Sequence, residues 1–234
     1  MSIKKHIPNA ITCCNLLSGC VACVMAFSGK FESAMLFIVL GAVFDFFDGM
    51  VARLLGVSSP LGVQMDSLAD DITFGLAPAT VIFSFMRYMI DYPSYLGGFA
   101  DVLPYFAFLI AVFSACRLAK FNIDKRQTTS FIGLPTPANA LFWSSLIVGG
   151  EKWLVGMSNA WMLLLALIFI FSYFLISEIP MFSMKFKNLS WKSNKTRYIF
   201  LLVSLPMFAL GYLAPVAIIS WYLILSVVLS KKNI

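Results

Sequence analysis

Long apolar runs alternate with short polar breaks along almost the whole of this 234-residue chain. Runs near 11–28, 33–55, 68–88, 103–121, 137–150, 158–178, 197–211 and 214–230 reach or approach the roughly 20 residues that a helix needs to cross a bilayer. The fifth, seventh and eighth are short. This pattern predicts an all-α integral membrane protein, a polytopic bundle of about eight transmembrane helices. Because those spans use up most of the chain, residues 1–234 are expected to form a single transmembrane domain with no soluble part. No internal repeat or low-complexity tract interrupts them.

Composition agrees: 60% of residues are hydrophobic, the mean hydropathy is +0.88 and only 12% are charged, against roughly 25% in an ordinary soluble domain. The net charge of +6 is a matter of placement. If the spans alternate, one side receives Lys4, Lys5, Arg53, Arg117, Lys120, Lys125, Arg126, Lys185, Lys187, Lys192, Lys195, Arg197, Lys231 and Lys232, 14 of the 17 cations, and the other receives Lys30, Arg87 and Lys152. The positive-inside rule therefore puts both termini and the polar stretch after the second span in the cytoplasm, as in a bacterial inner or archaeal cell membrane. The basic segment 185–195 is expected against anionic headgroups, and no nucleic-acid partner is needed to explain the charge. Lys4 and Lys5 before an apolar run imitate a signal peptide, but no small-residue cleavage site follows, and Asn9 after Pro8 reads as the opening of a retained helix. The five cysteines lie in apolar spans, and with no second pair beside Cys20-x-x-Cys23 and His6 the only histidine, they read as small packing residues.

Against this background, five of the 11 acidic residues fall between Phe44 and Gly75. Asp45 and Asp48 would lie well below the inner surface, where a charge costs roughly 2.5–3.5 kcal/mol at the bilayer centre. They must face a cavity or the bundle interior. Aspartates paired with arginines can fasten helices together, yet only Arg53 stands in this stretch against five carboxylates. Asp45 and Asp48 share one helical face and Asp66 and Asp70 another, and Gly56, Ser58, Ser59, Pro60 and Gly62 supply a turn that brings the faces together. An all-oxygen set of this kind selects a hard divalent cation, Mg²⁺, Mn²⁺ or Ca²⁺, and can bridge two ions. Asp71, rotated about 100° from Asp70, reads as a helix N-terminal charge. Gly49 and Ala52 either admit a ligand to the backbone or allow close helix packing.

Written out, the stretch is Asp45-x-x-Asp48-Gly49-x-x-Ala52-Arg53, eight residues, then Gly62-x-x-x-Asp66-x-x-x-Asp70. It resembles, without a departure, the signature of the CDP-alcohol phosphotransferases. The resemblance implies metal-dependent transfer of a phosphatidyl or similar group from a CDP-activated molecule to an alcohol, with release of CMP, in a cavity facing the cytoplasm. It implies that Asp45, Asp48, Asp66 and Asp70 hold Mg²⁺ or Mn²⁺, that Asp70 takes the proton of the attacking hydroxyl, and that Asp48, Gly49, Ala52, Arg53 and Gly62 line the CDP pocket. It also implies a homodimer.

Two further stretches are similar to the phosphatidylserine synthase branch of that family. One is the polar stripe Asn9-x-x-Thr12-x-x-Asn15, of which Thr12 and Asn15 are then expected at the nucleotide; read alone, the stripe is more simply a helix cap with local hydroxyl and amide bonds. The other is Arg117–Asn122 with Phe131–Ala140. The branch resemblance covers roughly the first 145 residues and implies CDP-diacylglycerol and L-serine as substrates, with the acyl chains remaining among the membrane lipids. Serine is a zwitterion, so its site wants a cation and acceptors, for which Arg117, Lys120, Asn122, Pro135, Thr136 and Asn139 are the candidates. Arg117 and Lys120 also satisfy the topology rule by themselves. Two alternatives stay open: the same chemistry on glycerol 3-phosphate or inositol phosphate, and a cation transporter whose aspartates bind the transported ion.

Overall fold

The computed structural model describes residues 6–124, 131–182 and 190–232. Lys4, Lys5, Lys125, Arg126, Lys185 and Lys187, which entered the topology argument, lie outside them, as do the side chains of Lys192, Lys231 and Lys232.

Nine α-helices follow one another among the described residues: α1 (His6–Phe27), α2 (Phe31–Leu55), α3 (Pro60–Asp70), α4 (Ala77–Tyr88), α5 (Leu109–Ile123), α6 (Thr136–Val155), α7 (Ala160–Ile176), α8 (Trp191–Met207) and α9 (Ala214–Lys232). A π-helical stretch, Asp71–Leu76, fuses α3 and α4 into one rod, so the nine make eight rods, as the apolar pattern predicts. Short 3₁₀ segments at Ser94–Asp101 and Leu103–Phe108 precede α5, and another at Phe208–Leu213 joins α8 to α9. Among the described residues, five helical stretches are long and apolar enough to cross a membrane: His6–Phe27, Phe31–Leu55, Pro60–Tyr88, Leu103–Ile123 and Asn194–Ser230, the last kinked at Gly211. The protein is an all-α polytopic membrane protein.

The third rod begins at Pro60, eight residues before the apolar run does. Its start is set by capping and not by hydropathy: the Ser59 hydroxyl accepts the Gly62 N–H at 3.0 Å and proline occupies the first turn. Asp71 therefore sits mid-rod, which corrects its reading as an N-terminal charge. Asn9 likewise lies inside the first turn of α1, which already runs from His6. At the other side of the turn α2 closes on Gly56, φ +61°, with the Val57 N–H reaching back to the Ala52 carbonyl. Four residues thus separate α2 from α3, and the two aspartate-bearing helices form a tight hairpin.

The third rod also carries the most enclosed apolar window of these five stretches. Of its most apolar 18-residue window, 72% is buried, against 22–33% for the other four stretches. Phe74, Val81, Ile82, Phe85 and Met86 pack with Ile38 of α2, Ile110 of α5 and Trp143 and Ile147 of α6. Among the described residues, a two-residue antiparallel pairing, Phe131–Ile132 with Pro180–Met181, is the one strand pairing added to the helices. It ties the start of α6 to the end of α7.

Candidate active site

The hairpin brings Asp45 and Asp48 of α2 and Asp66 of α3 together, with one carboxylate oxygen from each inside a 4.8 Å cluster. One oxygen of Asp66 is buried without a hydrogen-bond partner. Three carboxylates this close repel one another, and the described residues place no cation in salt-bridge contact with them. An oxygen-only donor set with an orphaned buried atom fits a hard divalent cation, so Asp45, Asp48 and Asp66 are where a metal would be held.

Asp70 stands one turn further along α3. Its Oδ1 accepts the Asn15 amide N–H at 3.0 Å, and it lies within electrostatic reach of Asp45, Asp66 and Arg117. The fourth carboxylate is thus beside the cluster yet outside the 4.8 Å group, aimed by a residue of α1. Asp48 has its own partner there: Thr12 donates its hydroxyl to Oδ2 at 2.6 Å. The polar stripe of α1 therefore faces the carboxylates, with Thr12 and Asn15 both buried. That outcome exceeds the local capping that the stripe alone allowed.

A cavity opens beside this cluster. Pro8, Asn9 and Thr12 of α1 line it with Asp48, Gly49 and Ala52 of α2, Val57, Ser58 and Ser59 of the turn, and Gly62, Val63 and Asp66 of α3. The motif positions Asp48, Gly49, Ala52 and Gly62 all reach it. Arg53 is exposed and lies over Gly49, where an added Cβ would stand 3.4 Å from its Nη1. A Cβ at Gly62 would crowd Asn9 Oδ1 and Ser59 Oγ at 3.1 Å each. Asn9, Ser58 and Ser59 are lining residues that the motif does not include. Their signal in the sequence was the polar break itself, read only as a turn and a helix opening.

The acceptor candidates separate. Arg117 of α5 is buried, 3.5 Å from the Thr136 hydroxyl, and its Nε has no partner. Asn139, one turn into α6, is fully buried with both amide atoms unpaired. Arg117 and Thr136 thus meet in the interior on the Asp70 side, with Asn139 one turn further along α6. Lys120 instead points to the exposed surface, where its ammonium meets Glu178 at 3.0 Å. Asn122 donates to Ser67 Oγ at 2.8 Å and so braces α5 against α3. Pro135 leads into α6 in a loop whose N–H groups are committed to α7 and the residues just after it: Gly133 N–H to Ile179 and Leu134 N–H to Phe174.

Comparison with known proteins matches residues 5–173 to the CDP-alcohol phosphatidyltransferase model. Similar curated proteins carry the name CDP-diacylglycerol–serine O-phosphatidyltransferase. That of Bacillus subtilis is 38% identical over 57% of this chain and 70% of its own length. A Helicobacter pylori protein (strain 26695) is 29% identical over 97% of this chain and 95% of its own. That of Mycobacterium tuberculosis (strain H37Rv) is 33% identical over 63% and 52%. The matched residues carry both halves of the aspartate hairpin and the helices around the cavity, and the chain belongs to the CDP-alcohol phosphatidyltransferase family.

Proposed function

We propose that the protein transfers the phosphatidyl group of CDP-diacylglycerol to the hydroxyl of L-serine, giving phosphatidylserine and CMP. The observation that carries this reading is the meeting of the Asp45–Asp48–Asp66 cluster, a cavity walled by small residues, and Asp70 in one region of the fold. Family membership makes the chain a transferase and removes the transporter alternative. Serine as acceptor is supported by the names of the relatives and by Arg117, a buried cation with an unpaired N–H on the Asp70 side.

In this reading the CDP headgroup enters the cavity between α1, α2 and α3 while the acyl chains stay in the bilayer. Gly49, Ala52 and Gly62 allow its close approach, and Arg53 at the rim neutralises phosphate charge. A divalent ion, Mg²⁺ or Mn²⁺ and in one or two copies, would be held by Asp45, Asp48, Asp66 and Asp70 and would supply neutralisation of the diphosphate. Asp70 accepts the proton of the serine hydroxyl as that oxygen attacks the lipid-side phosphorus, and the bond to the bridging oxygen of CMP breaks. Thr12 holds Asp48 and Asn15 holds Asp70, so both carboxylates meet the substrate pre-aimed. Arg117 takes the serine carboxylate, with Thr136 and Asn139 completing the polar wall.

The cation count favours the cytoplasmic side for this site and for both termini, where serine is found. The one-domain reading of 1–234 and a homodimer belong to the same proposal, the latter from family resemblance.

The test is CMP release from CDP-diacylglycerol by purified protein, with serine, glycerol 3-phosphate and inositol phosphate offered in parallel. Serine-dependent release is expected, abolished by a chelator and restored by Mn²⁺ or Mg²⁺. Asp70→Asn, which keeps an acceptor for the Asn15 amide, should lower kcat by about 10² to 10⁴-fold. Release with a phosphorylated acceptor alone would keep the chemistry and overturn serine.

A further inference from the structure

Asn15 is held at both of its ends by the third rod. Its amide N–H goes to Asp70, and its backbone carbonyl accepts the Thr73 hydroxyl at 3.0 Å. Thr73 is fully buried and lies in the π-helical stretch directly after Asp70, where the helical hydrogen-bond register shifts and re-aims the residues that follow. Two glycines make room for it. A Cβ at Gly19, one turn after Asn15, would stand 2.4 Å from Thr73 Oγ1 and 2.8 Å from its Cα. A Cβ at Gly41 of α2 would stand 2.4 Å from Thr73 Cγ2 and 3.0 Å from Asn15 Oδ1. α1 and α2 therefore both close on the one Thr73 side chain, α1 on its hydroxyl and α2 on its methyl.

We propose that Thr73 is a positioning residue for phosphatidyl transfer: by anchoring the backbone of Asn15 it sets the direction from which the Asn15 amide holds Asp70. This rests on the reading of Asp70 as the group that takes the acceptor's proton. The physical reason is leverage. Asn15 Oδ1 has no partner of its own, so the amide plane is fixed only by the Asp70 bond at one end and by the backbone at the other. Loss of the backbone anchor frees the Asn15 backbone to move relative to Asp70 while Thr12 keeps its own bond to Asp48, and a shift of about 1 Å at reacting groups costs on the order of 100-fold in rate.

Thr73→Val keeps the shape that fills the Gly19–Gly41 niche and removes the donor; Thr73→Ser keeps the donor. Thr73→Val should lower kcat roughly 10- to 100-fold with KM for CDP-diacylglycerol and for serine within about twofold, and Thr73→Ser should restore kcat to within about threefold. On an Asn15→Ala background, Thr73→Val should change kcat by less than about twofold, because the two act through one bond. Full activity of Thr73→Val, a rise in KM alone, or an undiminished loss on the Asn15→Ala background would each overturn the proposal. If Thr73→Val does not fold, Thr73→Ala against Thr73→Ser supplies the same comparison. Mn²⁺ binding followed by electron paramagnetic resonance runs the same cycle without turnover. A several-fold weakening by Thr73→Val that disappears in Asn15→Ala supports the anchor even where no acceptor releases CMP, and equal weakening in both backgrounds overturns it. A wild type that releases no CMP with any acceptor overturns the reaction reading by itself.

Discussion

At the scale of single residues, the acceptor side shows how position divides two cations that composition treats alike. Arg117 and Lys120 lie one turn apart on α5 and both obey the topology rule. Arg117 is buried with a free N–H, whereas Lys120 is spent on Glu178 at the surface. Exposed ion pairs contribute little, about 0–1 kcal/mol. Lys120→Ala is therefore expected to leave KM for serine within about twofold, while Arg117→Lys, which loses the planar fork, should raise it roughly tenfold or more. Steady-state kinetics with serine varied at saturating CDP-diacylglycerol separates the two. The carboxylates behave differently. Asp45 and Asp48 were legible as site residues because a carboxylate inside an apolar span is too costly to keep unless it faces a cavity or the bundle interior, and Asp66 and Asp70 because their spacing puts them on one helical face beyond a tight turn. Their grouping was not legible: three cluster, and the fourth is turned toward Asn15.

At the scale of elements, two connections carry the site. The α2–α3 hairpin is written locally, in Gly56 as a left-handed cap and in Ser59-Pro60 as a helix start, and a reading of turn residues finds it. The loop before α6 is not written locally. Gly133 has φ +74°, and a Cβ there would stand 2.7 Å from the Leu175 carbonyl, 3.0 Å from that of Ser177 and 3.1 Å from that of Phe174. Glycine is required there by the end of α7, some 40 residues later in the chain. Gly133→Ala should destabilise the protein by about 1–3 kcal/mol, seen as a lower thermal midpoint in detergent. It should also weaken serine use, since Thr136 and Asn139 follow directly. An unchanged midpoint would show that the loop can move away from α7. The π-helical stretch was equally invisible to hydropathy, because Asp71–Leu76 has the composition of an ordinary helix and only packing against α1 and α5 gives it its register.

At the scale of the whole molecule, the orientation follows from counting cations and the enclosure follows from the fold. The turn after α2 and the turn after α1 lie at opposite ends of α2, so they should face opposite sides of the membrane. In a cysteine-free background, Ser58→Cys is expected to react with an impermeant maleimide only in inside-out vesicles, and Ser28→Cys only in right-side-out ones. The reverse pattern would place the site away from the cytosol and overturn the orientation. The third rod, whose apolar window is the most enclosed among the membrane-length stretches, carries Thr73 in its buried part and Asp66 and Asp70 just before it, so the proposed site sits where a packed helix meets the polar turn.

By itself the amino-acid sequence determined that this is a helical membrane protein, that it carries an oxygen-donor carboxylate set in the spacing of a CDP-alcohol phosphotransferase motif, and where its tight turn lies. All of these are short-range properties: run length, residue spacing on one helix, and turn chemistry within a few residues. The tertiary structure decided which polar side chains meet. Thr12 with Asp48, Asn15 with Asp70, Thr73 with Asn15 and Arg117 with Thr136 are separated by 19 to 58 positions. In a bilayer such pairings are selected by how closely helices can approach. Gly19, Gly41 and Gly133 are among the places where this chain allows it.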